Sequence, residues 1–201
     1  MNPYNYKQYI ALLFSSSSIL LTACSASTPE KDLGGVAWSD SWIRVGTIMG
    51  VETPESFTLL DNKEALAADG LFYASWTDGD SRPYVNSDDE TVNLYDAQLY
   101  LLVSECDSSE QAQINCDNWQ SAARENYLVY NQETKAMAGQ SYTLLFYHCN
   151  PDSSPYDHGV SAFAVIGENA VCAELTCLDT YSEDLNDLLK TFLEGCHYAA
   201  S

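Results

Sequence analysis

The second half of the chain is divided into strand-length segments by short turns, and this spacing narrows the folds open to it. The segments are residues 127–132, 140–149, 160–166 and 170–177, all rich in β-branched or aromatic residues, as strands are. Gly167, Glu168 and Asn169 make a tight turn between the last two. Because so short a connection joins antiparallel neighbours, the sequence predicts a mainly antiparallel sheet.

The first half adds further strands and one short helical turn. Residues 56–60, 71–76 and 91–103 have strand patterns, and residues 38–51 form a candidate first strand or lead-in. Asp61 is suited to cap a helical turn over residues 63–68, which Gly70 would end. Residues 78–90 are rich in Asp, Asn, Ser and Gly, so we expect an exposed loop there.

Two amphipathic segments are predicted to be helices. Ser108 or Ser109 can cap the first, over residues 110–126, in which small and aromatic positions recur every three or four residues. Residues 182–184 can cap the second, which Gly195 ends. Its apolar stripe is formed by Leu185, Leu188, Leu189, Phe192 and Leu193. Helices with one apolar side cover a sheet, so the expected fold class is α+β, a mainly antiparallel sheet flanked by helices.

This order of elements resembles the Mog1/PsbP-like fold, an α/β/α sandwich. The resemblance is carried by the opening strand at residues 56–60, the central hairpin at 142–147 and 160–165, and the segment 171–177 before the closing helix. It covers residues 57–197. Proteins of this fold act mostly as binding or assembly factors, so the resemblance implies a non-enzymatic role, by analogy of fold only.

The N-terminus has the form of a bacterial lipoprotein signal. Lys7 precedes the apolar stretch 10–21, as in a secretory signal, and the stretch is shorter than the ~20 residues of a spanning helix. Leu21-Thr22-Ala23-Cys24 resembles a lipobox, which implies lipidation of Cys24 and removal of residues 1–23. A simple anchor, or a cleaved signal with an incidental cysteine, is the alternative. More broadly, the chain resembles lipoproteins of Gram-positive gut anaerobes.

The lipobox resemblance also sets the expected domains and location. Residues 24–35 would be the lipidated cysteine and a small, polar, flexible tether, followed by a single globular domain at 36–201. We expect an extracytoplasmic protein whose membrane contact is the lipid anchor. Ser25 after the lipidated cysteine implies the outer membrane in a bacterium that has one, and the cell membrane otherwise.

The charge of the chain limits its partners. It carries 29 acidic against 8 Lys and Arg residues, a net charge of −21. Such a surface repels nucleic acid, which the sequence therefore excludes as a partner. Solubility alone can account for the charge, and steering of cationic ligands or Ca²⁺ is the alternative. An envelope protein or a small ligand remains open as a partner.

Six cysteines follow the lipobox, an even number that predicts three disulfides in an exported protein. The spacing of these cysteines is not that of a zinc site. Free buried thiols are the alternative to disulfides if the organism is anaerobic. Cys172 and Cys177 lie ~16 Å apart if they share one strand, so they need different partners. The closing helix returns Cys196 towards Cys172, Cys106 is local to Cys116, and Cys149 is left with Cys177.

The loop around His148 contains residue types of a hydrolase triad. Asp157 and His158 follow it, with Ser153 and Ser154 between. No turn of the kind that positions a nucleophile accompanies these residues. The segment 150–155 has the composition of an ordinary turn between two strands. The sequence therefore assigns no catalytic residue, no cofactor and no metal, and a hydrolase at this loop stays the alternative to a lipid-anchored binding module of the envelope.

Two further sets of residues are candidate sites with ordinary structural alternatives. The first set offers oxygen ligands for Ca²⁺ but lacks the EF-hand spacing: Asp78, Asp80, Asn86, Asp88, Asp89 and Glu90. The second set could line a ligand groove, although aromatic residues in sheets mostly belong to cores: Trp38, Trp42, Trp76, Tyr95, Tyr100 and Trp119.

The lipoprotein prediction can be tested at the cysteine itself. Replacing Cys24 by Ala removes the thiol that accepts the lipid, so the variant should accumulate as an uncleaved, unlipidated precursor. Metabolic labelling with a radioactive fatty acid and the electrophoretic mobility of the chain measure both effects, with Cys106→Ala as the matched control. Processing and labelling of Cys24→Ala like the wild type would rule out the lipobox.

Overall fold

The computed structural model describes residues 42–46, 49–66, 70–85, 91–151 and 154–198, with the backbone alone over 61–66. The elements in chain order are β1 Ile43–Val45, β2 Met49–Val51, β3 Thr58–Leu66, β4 Leu71–Asp78, β5 Arg82–Val85, β6 Thr91–Leu94, β7 Ala97–Glu105, α1 Ser109–Asn126, β8 Leu128–Met137, β9 Gln140–His148, β10 His158–Ile166, β11 Asn169–Cys177, α2 Leu185–Glu194 and β12 Cys196–Tyr198. The N-terminal signal, Cys24 and the tether lie outside the described residues.

A seven-stranded antiparallel sheet organises the molecule. Its strand order is β3-β4-β7-β11-β10-β9-β8, and two smaller sheets are formed by β1-β2-β12 and β5-β6. Helix α1 packs mainly on β11 and β10, and α2 packs on the same two strands. The helices belong to different core clusters, so they lie on opposite faces of the sheet. The expected α+β class, an antiparallel sheet flanked by helices, is confirmed.

The face that α2 covers is the main apolar core. Alternate residues of the central strands point to it, because successive side chains of a strand face opposite sides. They include Trp76, Leu99, Leu101, Ala173 and Leu175, all buried. Phe192 of α2 meets Trp76 edge to face, with ring centroids 5.3 Å apart. Burial of this apolar face is the main force that attaches α2 to the sheet.

Both helices begin and end where their sequences predict. The Ser108 side chain accepts a hydrogen bond from the Gln111 amide, and the Asp184 side chain accepts from the amides of Asn186 and Asp187. Each cap satisfies amides that the first turn leaves without a helical partner. Gly195 follows α2 and donates its own amide to the last carbonyls of the helix.

Two local predictions in the first half are wrong. Residues 61–66 continue β3 and pair with β4, with irregular register, instead of forming a capped helical turn. A neighbouring strand satisfies their backbone groups, and this tertiary contact outweighs helical propensity. The predicted loop 78–90 contains β5, which pairs with β6, while residues 86–90 lie outside the described residues. β12 at the C-terminus was not predicted.

The predicted strand 91–103 is divided into β6 and β7 at Asp96. The Asp96 amide donates to the Asp78 carbonyl at 3.1 Å, and its side chain forms an ion pair with Arg82. Gly79 has a positive φ of 83°, and a Cβ there would collide with the Asp96 side chain. The chain therefore turns at this point because Gly79 leaves room for Asp96.

No helix in the described parts of the chain is long and apolar enough to cross a membrane.

Candidate functional site

The sheet face that α1 partly covers is polar in its centre, unlike the face under α2. Strand register places Ser75, Tyr100, Glu174 and Ser161 in one row across β4, β7, β11 and β10. The next row on this face contains Thr77, Gln98 and Thr176, followed by Gly159. We call the seven side chains of these two rows the polar floor: Ser75, Thr77, Gln98, Tyr100, Ser161, Glu174 and Thr176. Six of the seven are buried, and Tyr100 is half-buried.

Glu174 is the only acidic residue of the polar floor, and its side chain is held by hydroxyl groups. Tyr127 donates to Oε1 at 3.1 Å, Ser161 donates to Oε2 at 3.1 Å, and Tyr147 also bonds the carboxyl. Burial raises the pKa of Glu174, and a positive charge, followed by these three hydrogen bonds, opposes the increase. No described lysine or arginine forms an ion pair with it. The residue is 6 % exposed.

The position of Tyr147 depends on a glycine in the neighbouring strand. The Tyr147 ring stacks on Tyr127, with centroids 4.0 Å apart and planes at 4°. Gly159 lies opposite Tyr147 in β10, and a Cβ there would be 2.8 Å from the Tyr147 hydroxyl. A side chain at residue 159 would displace the ring, so the glycine allows Tyr147 to reach Glu174 across the strand.

Within the polar floor, Gln98 bonds Tyr100, and it also connects the floor to Tyr156. The Tyr156 hydroxyl donates to Gln98 Oε1 at 3.2 Å, and Gln98 also bonds the hydroxyl of Tyr100. Burial, followed by the charges of Tyr156, Glu174 and Tyr73, raises the pKa of Tyr100. These phenols therefore remain protonated at neutral pH and act as hydrogen-bond donors and aromatic surfaces.

Ser75 and Thr77 differ from the rest of the polar floor, because their hydroxyls have no hydrogen-bond partner among the described residues. They are only 2 % and 5 % exposed. Burying an unpaired hydroxyl costs ~1–3 kcal/mol, and native structures contain few such groups. The two hydroxyls lie two residues apart on β4, on the face of the polar floor.

A second cluster of reactive side chains lies at the end of the opposite face. Cys177 Sγ is 3.1 Å from His158 Nε2, and His158 Nδ1 is 3.2 Å from Asp179 Oδ1. This is the order of a Cys–His–Asp triad. Burial, followed by Cys149 and the carboxylates of Asp157 and Asp179, raises the pKa of Cys177 to about 12. Cys177 is therefore a thiol at neutral pH, whereas a nucleophilic cysteine has a depressed pKa.

The residues predicted for a hydrolase loop only partly meet. His148 and His158 are cross-strand neighbours, and Asp157 accepts a hydrogen bond from the Asp179 amide at 2.8 Å. Ser154 bonds the Tyr156 amide instead of a histidine, and Ser153 lies outside the described residues. The sequence analysis missed Cys177 as the neighbour of His158. The turn after residue 166 could have revealed it, because the hairpin register it starts pairs these two residues.

The six described cysteines are free thiols, so none of the three predicted pairs is formed here. Cys172 packs against the cluster under α1, while Cys196 belongs to the cluster under α2. A Cys172–Cys196 bridge would have to cross the sheet, and this pairing is incompatible with the fold. The helix residue that contacts Cys106 is Asn115, at 3.3 Å from Sγ. Oxidation of the thiols in other pairs stays a prediction.

The third predicted pair, Cys149 and Cys177, is separated by the backbone of Asp157. The Cys149 amide donates to the Asp157 carbonyl, and the Asp157 amide donates to the Cys177 carbonyl. Cys149 packs in the cluster on the α1 side and Cys177 in the cluster on the α2 side. The two thiols therefore lie on different sides of the sheet edge, a consequence of side-chain alternation that strand spacing alone does not reveal.

The aromatic and acidic candidates are scattered. Trp76 and Trp119 are buried in the two core clusters, and Trp42 stacks on His197 at 4.0 Å. Tyr100 belongs to the polar floor, with Tyr95 near Tyr156, and Trp38 lies outside the described residues. Asp78 accepts from the Tyr181 hydroxyl at 2.6 Å, and Asp80 is exposed. Within the described ranges, no group of three or more possible metal ligands occurs.

No family model matches the chain, and no curated protein matches it. Among solved structures, the chain is similar to the solution structure of cyanobacterial PsbP (CyanoP) from Synechocystis sp. PCC 6803, with 14 % identity over 89 % of this chain and 98 % of that one, at a TM-score of 0.45. A crystal structure from Bacteroides thetaiotaomicron VPI-5482 matches at 10 % identity and a TM-score of 0.36, over 80 % of this chain and 48 % of that one. Both scores are low, so neither similarity carries an argument about function.

The raised pKa of Glu174 predicts a pH-dependent stability. The folded state binds this proton more tightly than the unfolded state, so stability falls as pH rises from the ordinary glutamate pKa to the raised one. Glu174→Gln removes this dependence, so its stability relative to the wild type should increase as the pH rises from 4 to 8. Urea unfolding across this pH range measures the difference, with the exposed Glu125→Gln as control. If the free energy of unfolding depends on pH in the same way for Glu174→Gln and the wild type, the prediction is wrong.

Proposed function

We propose that this chain is a lipid-anchored, extracytoplasmic binding module of the cell envelope and that its ligand contacts the polar floor. The observation that carries the binding role is the pair of buried hydroxyls on Ser75 and Thr77, which have no partner among the described residues. The lipid anchor rests on the resemblance of residues 21–24 to a lipobox, and it would provide the membrane contact of the protein.

The polar floor has the properties of a preorganised ligand site. Its side chains project from the central strands of a seven-stranded sheet, so their positions are fixed by the ladder hydrogen bonds and by the packed core behind them. Glu174 is oriented by Tyr127, Tyr147 and Ser161 before any ligand arrives. A polar ligand on this face would satisfy Ser75 and Thr77 at little cost in ordering the protein.

The proposal is non-enzymatic, although the Cys177–His158–Asp179 order favours a hydrolase as the second candidate. Two properties argue for a structural role of this cluster. The pKa of Cys177, raised to about 12, leaves almost no thiolate at neutral pH, and the residue is fully buried. His158 is held between Cys177 and Asp179 at the end of the sheet, where it connects β10, β11 and the following loop.

The reactivity of Cys177 distinguishes the two candidates. In the reduced protein at pH 7, iodoacetamide should modify Cys177 more slowly than the half-buried Cys106, because the Cys177 thiol is buried and protonated. Peptide mass spectrometry of timed samples measures both rates in one experiment, with free cysteine as reference. Faster alkylation of Cys177 than of free cysteine, abolished by His158→Ala, would favour the hydrolase instead.

Binding at the polar floor can be tested without knowledge of the ligand. The full chain, purified in detergent, is dialysed to equilibrium against the small-molecule filtrate of spent culture medium, and retained compounds are identified by mass spectrometry. Wild type should enrich at least one compound, and Thr77→Val should lose about tenfold of that enrichment, equivalent to ~1.4 kcal/mol, because the hydroxyl contact is removed.

The matched control is Thr134→Val, which makes the same replacement on exposed β8. It should retain the enrichment of the wild type. Failure of the wild type to retain any compound, or equal retention by Thr77→Val, would show that the polar floor is not a ligand site.

A further inference from the structure

We propose that β8 is the interface of a homodimer, in which the β8 strands of two copies pair antiparallel about a two-fold axis at Thr134. The inference concerns the edge of the sheet and does not depend on a ligand at the polar floor. It rests on three observations: the exposure of this edge, its lack of net charge, and the positions of Glu133 and Lys135 on either side of Thr134.

β8 is an open edge of the seven-stranded sheet. It is 10 residues long and comes last in the strand order, and no described strand pairs with its outer side. Both helices pack mainly on β10 and β11, further into the sheet. Leu128 and Tyr130 are 66 % and 60 % exposed. Such an edge presents backbone amides and carbonyls with which the strand of another chain can pair.

The regularity of β8 distinguishes it from the opposite edge, β3. The pairing of β8 with β9 is regular from Asn131 to Met137, and its shift lies before this stretch, between Val129 and Asn131. β3 pairs with β4 through two register shifts. Irregularities of this kind twist an edge and hinder the addition of a further strand. β8 also contains no proline, so every residue of the regular stretch has a backbone amide.

The charge of the protein limits where two copies can approach each other. A chain with a net charge of −21 repels its own copies. The hairpin at this edge differs from the rest, because residues 126–151 contain only Glu133 and Lys135 as charged residues of the Asp, Glu, Lys and Arg types. Two copies that meet at β8 therefore bring together segments without net charge, so this edge suits a second copy of the chain.

The same two charges select the register. The two-fold axis has to pass through a residue, because outward backbone groups and side-chain directions alternate along a strand. With the axis at Thr134, Glu133 of each copy lies opposite Lys135 of the other, and opposite charges stabilise cross-strand pairs. An axis at Glu133 or at Lys135 would place like charges opposite each other. Lys135 donates one hydrogen bond to Asn186 at 3.1 Å, and its ammonium has two further donors for the glutamate.

Charge reversal tests the interface and its register together. Sedimentation velocity of the full chain in detergent should show a wild-type dimer that increases with protein concentration. Glu133→Lys alone, or Lys135→Glu alone, should weaken dimerisation by about tenfold, because each places like charges in both cross-strand pairs. An equimolar mixture of the two variants should dimerise as the wild type does, since it restores opposite charges in both pairs.

The matched control is Glu168→Lys, which makes the same charge change at an exposed turn between β10 and β11. It should dimerise like the wild type. Circular dichroism spectra verify that each variant is folded. A monomeric wild type would leave β8 to another occupant and overturn the proposal. Dimers that are unaffected by both single reversals would place the interface elsewhere, and a mixture that stays monomeric would rule out this register.

A cross-link provides a second measurement that does not alter the charges. With the axis at Thr134, the two copies of this residue are direct cross-strand neighbours, so Thr134→Cys should form a covalent dimer on mild oxidation with copper phenanthroline. Ala136 would lie opposite Gln132, and its two copies would be ~13 Å apart along the strands, beyond the ~7 Å that a disulfide spans. Ala136→Cys should therefore remain at the level of the wild type.

Non-reducing electrophoresis measures the covalent dimer, and the wild type gives the background from the native thiols. Equal cross-linking of Thr134→Cys and Ala136→Cys, or no cross-linking of Thr134→Cys above the wild type, would overturn the proposed pairing at β8.

Discussion

The register of the β10–β11 hairpin is the constraint on which the rest of the structure depends. The turn at Gly167 and Glu168 pairs Ile166 with Asn169, and this pairing continues without a shift to His158 and Cys177. Because side chains alternate along a strand, a slip of one residue would exchange the two faces. Leu175 would then face α1, and Glu174 would enter the apolar core under α2. The turn therefore decides which face is a core and which carries polar groups.

The two faces of the seven-stranded sheet differ in composition: one is an apolar core and the other carries buried polar groups. The face under α2 contains the larger apolar cluster of the described residues, including Trp76, Leu99 and Phe192, and burial of this apolar surface favours the folded state. The other face holds Glu174, Gln98 and two buried hydroxyls without a partner among the described residues, and buried polar groups of this kind reduce stability. Groups that cost stability and persist are expected at functional sites, and this contrast between faces is the basis of the proposed ligand site.

The cysteines illustrate how a plausible sequence argument fails on orientation. The closing helix does return to the start of β11, as the pairing of Cys172 with Cys196 requires. However, Cys172 points to the α1 side and Cys196 to the α2 side. Cys106 and Cys116 pack in the same cluster, but the helix residue that contacts Cys106 is Asn115, one residue or about 100° from Cys116 on the helix. Spacing along the chain fixed proximity but not the direction of the side chains.

The sequence by itself determined the elements whose signals are local. The caps at Ser108 and Asp184, the turn at 167–169 and the strands of the second half follow from residues a few positions apart, so they were predictable. The helical turn at 63–68 was wrong because pairing with β4 is not local. The polar floor was missed for a related reason. Gln98, Tyr100 and Ser104 alternate visibly with Leu99, Leu101 and Val103, but such a pattern ordinarily indicates a face in water. Whether a polar face is exposed or buried depends on what packs above it, and only the tertiary structure decided that.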